Sequence, residues 1–291
     1  LSPDTMMSLD ASARRSSYAQ LQLLRGLGFR DIKFDVRDLN PSVQTAVGRA
    51  DSLYLLQDVF ATARETGVET IGMDLVYGLP HQSMETITTS LEQIRQLSPD
   101  RVSCHSFTRR TGLFSHHRSM DAATLPSLAD RLVMFNAIVD FMQDDGYTWV
   151  GLDYFVKSDD PIAAAQDQHA LYYNWIGYNL HGSPHLLGFG TSAVSEGSSG
   201  VYTQNHVEIP DWQASVERDQ LPVHRSIRLS DQQQRQRRAM TNLLCNMELV
   251  DYTNVLEIEG GADELRRLEN DGVIEVVENR AVVTPLSLIH I

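Results

Sequence analysis

Five polar side chains stand near the ends of short apolar stretches and could together hold a small zwitterionic ligand: Asp10 in "MSLD", Arg37 in "FDVRD", Arg49, Asp74 in "IGMDLVYGLP" and Thr108 in "SCHSFT". An arginine fork pairs with a carboxylate, and an aspartate accepts hydrogen bonds from an amine or a ribose hydroxyl. Asp74 is the most telling of them, because a carboxylate inside an apolar run costs free energy unless a partner meets it. Such a carboxylate can simply anchor a neighbouring loop. Its position just before the turn "YGLP" favours a ligand, since binding groups of β/α barrels sit at the C-terminal ends of the strands.

The elements that must position these residues alternate in kind. "SYAQLQLLRGLGF" (17–29) has helical apolar spacing and closes at Gly28, and "DIKFDV" (31–36) follows as a strand. Leu53, Leu56, Val59, Phe60 and Ala63 form one stripe of a helix over 51–66, and a strand is expected over 70–76. A helix over 83–97, capped by Ser83, leads into "DRVSCHSF" (100–107); a long helix over 126–144 leads into "YTWVGLDYF" (147–155), read as one strand that carries Asp153 at its end. Repeated helix–strand alternation implies parallel strands joined by right-handed crossovers, in a doubly wound sheet or a β/α barrel. The uniform connections favour the barrel. The strands at 5–10, 31–36, 70–76, 101–107 and 147–151 are expected to lie parallel and adjacent.

Beyond residue 155 the rhythm breaks. Residues 156–227 hold an amphipathic stretch, a Gly/Ser-rich region and the strand-like "VYTQN", as expected of a lid. Residues 228–285 read as a helix, a second helix at 262–270 and a hairpin turning at Glu278–Arg280, a winged-helix-like module. Residues 286–291 read as a tail that is not native sequence. The chain starts at Leu1, and the whole reads as a fragment whose strand at 5–10 would present an open, association-prone edge.

With 24 Lys+Arg against 38 Asp+Glu, the formal charge of −14 disfavours nucleic acid and anionic membranes, and in the winged-helix-like module only the short "RQRR" run is basic, which disfavours DNA binding. No apolar run reaches the roughly 18 residues of a membrane span, so a cytoplasmic protein is expected. Cys104 and Cys245 are the only cysteines, without metal-ligand spacing, and read as buried thiols. The adjacent His116 and His117 point to different sides of any regular element, which disfavours a shared metal. His169, His181 and His185 fall in the lid region. Tyr172, Tyr173, Trp175 and Tyr178 could line a tetrapyrrole face, with some of them core residues at helical spacing.

"MDLVYGLPHQSMETITTSLEQIRQLSPDRVS", with "DVRDLNPSVQTAVGR", "GLDYF", "LLGFGTSAVS" and "YTQN", resembles the oxygen-independent coproporphyrinogen III oxidases of the radical S-adenosylmethionine superfamily from about residue 8 to about residue 284. The resemblance implies a partial parallel β/α barrel that binds S-adenosylmethionine and a [4Fe-4S] cluster, generates a 5′-deoxyadenosyl radical, and oxidatively decarboxylates two propionates of coproporphyrinogen III to vinyls. It implies cofactor contacts from Asp10, Arg37, Arg49, Asp74, Thr108 and Val194. It also implies a porphyrinogen substrate, an electron donor or acceptor protein as partner, and a monomer when complete; a haem- or porphyrin-binding paralogue without decarboxylase activity is the alternative.

Departures from the family pattern are specific. The CxxxCxxC cluster loop is expected upstream of Leu1, and two cysteines cannot supply three cluster thiolates, so the 291 residues alone are expected to be inactive. Arg37 stands where the family usually has Gln, Asp35 where it has Gly, Asp10 where it has Glu, and Ile176 where Gln is common. A guanidinium about 6 Å from a sulfonium repels it by roughly 3 kcal/mol at an effective dielectric of 20, unless Asp10 or Asp35 pairs with it.

Overall fold

The computed structural model describes residues 5–180, 182, 185–250, 253–256 and 260–284. His181 and the tail at 286–291 lie outside the described residues. The chain divides into two compact units, Leu1–Ala163 and Ala164–Ile291.

The first unit is one sheet with helices on one face. Its elements are β1 (Met7–Ala11), α1 (Tyr18–Gly26), β2 (Phe29–Arg37), α2 (Pro41–Ala46), α3 (Leu53–Glu65), β3 (Thr70–Tyr77), α4 (Met84–Leu97), β4 (Arg101–Ser106), α5 (Leu128–Asp144), β5 (Tyr147–Gly151) and β6 (Tyr154–Lys157). Serine caps start the helices: Ser17, Ser52, Ser83 and Ser127 each accept from a backbone N–H of the first turn. The sheet order is β1-β2-β3-β4-β6-β5, with β1 to β4 all parallel and β1 at the edge.

The two faces of this sheet differ sharply. Ile32, Phe34 and Val36 of β2, Ile71, Met73 and Leu75 of β3, and Val102 and Cys104 of β4 are buried in one core with Leu21, Leu56, Phe60, Leu91 and Ile138 of the helices. The intervening positions Lys33, Asp35 and Arg37 point to the other face, because successive strand residues alternate sides. Register then sets Asp10 beside Lys33, Asp35 beside Asp74, and Asp74 beside Ser103.

The fifth strand departs from expectation. β5 is not adjacent to β4: the stretch 147–155 is a hairpin whose return strand β6 pairs antiparallel with both β4 and β5. The reversal is made by Gly151 (φ 151°) and by Leu152 in the left-handed region (φ 49°), with the indole Nε1–H of Trp149 donating to the Leu152 carbonyl at 3.0 Å. Asp153 therefore lies in a turn and not at a strand end.

The second unit carries the other end of α6 (Pro161–Asp167), then β7 (Tyr172–Asn174), β8 (Gly177–Asn179), β9 (Val194–Gly197), β10 (Val201–Asn205), α7 (Ile209–Glu217), β11 (Val223–Arg228), α8 (Asp231–Asn246), β12 (Glu248–Val250), α9 (Thr253–Leu256), α10 (Gly261–Asn270), β13 (Ile274–Val277) and β14 (Arg280–Val283). Tyr172 to Tyr178 form the β7–β8 hairpin, correcting the helical spacing expected for these aromatics. The β13–β14 hairpin pairs Val277 with Arg280, so its turn is Glu278–Asn279, and β12 adds a third strand that the sequence reading had not resolved. Among the described residues no helix is long and apolar enough to cross a membrane.

Candidate functional site

The polar face of the first unit gathers most of the residues singled out by type. Asp74, 15 % exposed, is held between two cations: Lys33 Nζ lies 3.3 Å from its Oδ2 and His105 Nε2 lies 3.5 Å from its Oδ1. The second contact is an ion pair too long for a hydrogen bond. Asp74 Oδ1 is thus a buried acceptor without a hydrogen bond. Burial pushes the Asp74 carboxyl up, but His105 and Lys33 outweigh it and hold it below the usual carboxylate range.

Lys33 also lies 3.4 Å from Asp10, whose side chain is mostly exposed at the penultimate position of β1. Burial lowers the Lys33 pKa while Asp74 and Asp10 raise it, and the carboxylates prevail. His105 Nδ1 lies 2.7 Å from Asp153 Oδ2. That hydrogen bond, then the Asp74 contact, push the imidazole up to about 10, so it is a cation at neutral pH and donates to Asp153.

Arg37 closes β2 in the left-handed conformation (φ 70°) beside a register shift. A bidentate pair holds it there: Nε and Nη2 donate to Asp35 Oδ1 and Oδ2 at 3.0 and 3.2 Å. Arg49 Nη2 donates to the same Asp35 Oδ2. Of the two pairings expected to relieve Arg37, Asp35 makes it; Asp10 belongs to Lys33. Thr108 is exposed two residues beyond β4. Val194 opens β9 in the second unit.

A buried hydrogen-bond cluster fixes the rim below "YGLP". Asp38, fully buried, accepts from Gln82 Nε2 at 2.5 Å and from the Asn40 N–H at 2.6 Å, and Gln82 also donates to the Val76 carbonyl and accepts from the Leu79 N–H. Burial raises the Asp38 carboxyl pKa despite these bonds. Gly78 (φ 84°) passes so close to α5 that a Cβ there would lie 2.7 Å from Arg131 Nε.

Cluster ligands are a different matter. Cys104 is wholly buried on the apolar face of β4, where burial and the nearby Asp153 push its thiol well above its usual value. Cys245 lies in α8 of the other unit, pushed up by burial to about 11. Neither is a thiolate ready for iron, and among the described residues no three His, Cys, Asp or Glu side chains converge as a metal site. The buried His117 accepts from the Arg110 N–H at 2.9 Å. The described residues therefore do not fit a [4Fe-4S] cluster, whereas the unbonded acceptor on Asp74 is of the kind that a ligand hydroxyl or amine satisfies.

No known family profile matches the chain. Curated proteins do. It is 30% identical over 278 residues to the oxygen-independent coproporphyrinogen III oxidase of Pseudomonas aeruginosa, spanning 92% of this chain and 60% of that one. The Escherichia coli oxidase gives 30% over 290 residues, 97% of this chain and 63% of that one. The solved structure of the Escherichia coli coproporphyrinogen III oxidase, HemN, described as a radical SAM enzyme, superposes with a TM-score of 0.89 at 29% identity, covering 97% of this chain and 66% of that one. The chain is a homologue of the oxygen-independent coproporphyrinogen III oxidases. It spans about 60% of the length of the Pseudomonas oxidase, and 90% of the Thermostichus vulcanus oxidase, to which it is 27% identical.

Lys33 and His105 are the site residues that sequence reasoning passed over. For Lys33 the signal was present: "DIKFDVR" alternates charged and apolar residues, the pattern of a strand with one wet face. For His105 it was not, because the partner that defines its role lies 48 residues away across a hairpin.

Proposed function

We propose that this chain is the adenosyl-cofactor-binding part of an oxygen-independent coproporphyrinogen III oxidase, which converts two propionate side chains of coproporphyrinogen III to vinyl groups with loss of carbon dioxide. The single observation that carries the reading is the superposition on the Escherichia coli oxidase across 97% of the chain. On this reading the polar face of β1 to β4 receives S-adenosylmethionine. Asp74 Oδ1 accepts from the cofactor, and Asp10, Arg37, Arg49 and Thr108 complete its contacts on this face. The bound cofactor, with a reduced [4Fe-4S] cluster, supplies the oxidising power; the cluster's thiolates do not come from these residues. The apolar core behind β2 to β4 keeps the floor of the site rigid. The substrate is a porphyrinogen, the electrons pass to an acceptor protein, and the protein works as a cytoplasmic monomer without nucleic acid.

A second reading is a porphyrin- or haem-binding homologue without decarboxylase activity. The pairing of Asp74 with both Lys33 and His105 favours it, because this carboxylate already has cationic partners without a cofactor. Anaerobic incubation of the iron- and sulfide-reconstituted longer protein of which this chain would be the adenosyl-binding part, with a reductant for the cluster, S-adenosylmethionine and coproporphyrinogen III, separates the two. Protoporphyrinogen IX with two carbon dioxide per turnover supports the oxidase; porphyrin binding without product supports the second reading.

A further inference from the structure

The rim of the polar face is electrically self-sufficient. Asp10 and Asp74 share Lys33, at 3.4 and 3.3 Å. Asp74 and Asp153 share His105, at 3.5 and 2.7 Å. Asp35 carries both Arg37 and Arg49. Four carboxylates (Asp10, Asp35, Asp74, Asp153) thus face four cations (Lys33, Arg37, Arg49, His105), a formal sum of zero. Further positive charge borders the set: Arg131 Nη2 donates to Ser106 Oγ at 2.5 Å and to the Phe107 carbonyl at 2.7 Å, and Arg109 and Arg110 follow Thr108.

A site that rewards a sulfonium needs a carboxylate whose field is not already cancelled. Here the carboxylate best placed to do so, Asp74, sits between two cations, Lys33, which is protonated at neutral pH by its own basicity, and His105, whose carboxylate partners keep it protonated there. Asp74 Oδ1 is buried, makes no hydrogen bond and lies 3.5 Å from His105 Nε2, so a ligand group reaches it by displacing that imidazole. A ribose hydroxyl or an adenine amine satisfies that oxygen without adding charge. A cation brought there would meet Lys33 and His105.

We propose that this face selects the adenosyl group and not the sulfonium charge, so that it binds the neutral thioether S-adenosylhomocysteine at least as tightly as S-adenosylmethionine. The proposal rests on the reading of the face as an adenosyl-cofactor site and adds to it the charge class of the preferred ligand. Lys33, positioned between Asp10 and Asp74, is the residue that sets the preference.

Isothermal titration of the 291-residue chain at pH 7.5 with the two ligands, and with 5′-methylthioadenosine as the adenosyl group alone, tests it. The expected result is a dissociation constant for S-adenosylhomocysteine equal to or below that of S-adenosylmethionine. In Lys33→Met the ratio should move at least about tenfold toward the sulfonium, as expected when one repelling charge is removed from a partly screened face, while Lys33→Arg keeps the wild-type ratio. The ratio within one variant is insensitive to a general loss of stability, and the wild-type ratio stands without any variant. A tenfold preference of the wild type for S-adenosylmethionine overturns this proposal and leaves the cofactor reading intact. Failure of all three compounds to bind overturns the cofactor reading and this proposal with it.

Discussion

His105 donates through Nδ1 to Asp153 at 2.7 Å, tying the middle of the sheet to the turn between its two last strands. The bond gives the polar face a pH dependence of known sign. The imidazole pKa rises from 6.5 to about 10 on folding, so its stabilisation is fully present below pH 6.5 and is lost as the pH climbs through about 10. The side chain is half-exposed, which limits the contribution to on the order of 1 kcal/mol. Melting temperature should therefore fall between pH 7 and 10 in the wild type, and this fall should be smaller in His105→Gln; a proton titration of His105 by NMR gives the same midpoint directly.

Arg101 is expected to be a hidden strong point of the first unit. Its guanidinium forks onto the buried Asp160 at 2.7 and 3.2 Å and reaches Asp31 at 3.6 Å. Arg101→Met leaves Asp160 buried and unpaired, which should cost about 3 kcal/mol in denaturant unfolding.

Asp38→Ala should cost about 2 kcal/mol, since Gln82 and the Asn40 N–H lose a buried acceptor together. Asp38→Asn keeps one carbonyl oxygen and should cost less. Midpoints of urea unfolding order the three proteins.

Much of the frame was legible because each of the first four strands announces itself locally. "DIKFDVR" and "IGMDLVY" alternate or run apolar between helices with serine caps, and the helix–strand alternation with right-handed crossovers implies the parallel arrangement of β1 to β4. The β5–β6 reversal was not legible, because half of it is made by Leu152, a residue type that rarely adopts the left-handed conformation it has here. The aromatic hairpin at 172–179 was obscured for a related reason: four aromatics in seven residues fit a helical stripe as well as a two-sided ribbon. The pairing of Arg37 with Asp35 was foreseeable from the i, i+2 spacing along one strand face. The capture of Asp74 by Lys33 and His105 depended on register across three strands, which no local pattern encodes.

Gly78→Ala should be among the more damaging small substitutions. The new methyl meets Arg131 at 2.7 Å and the backbone sits at φ 84°, so a loss of about 2 kcal/mol is expected in thermal or urea unfolding. Arg131→Ala in the same background should recover the steric part only.

The central claim is that the polar face of β1 to β4, with Asp74 at its middle, is an adenosyl-cofactor site. Titrating S-adenosylmethionine into the wild type and into Asp74→Ala, with circular dichroism to verify that both are folded, tests it most directly. Saturable one-site binding by the wild type, weakened at least about tenfold in Asp74→Ala by the loss of the buried acceptor, is the expected result. Equal affinity in the two proteins, or no binding by a folded wild type, would contradict the claim.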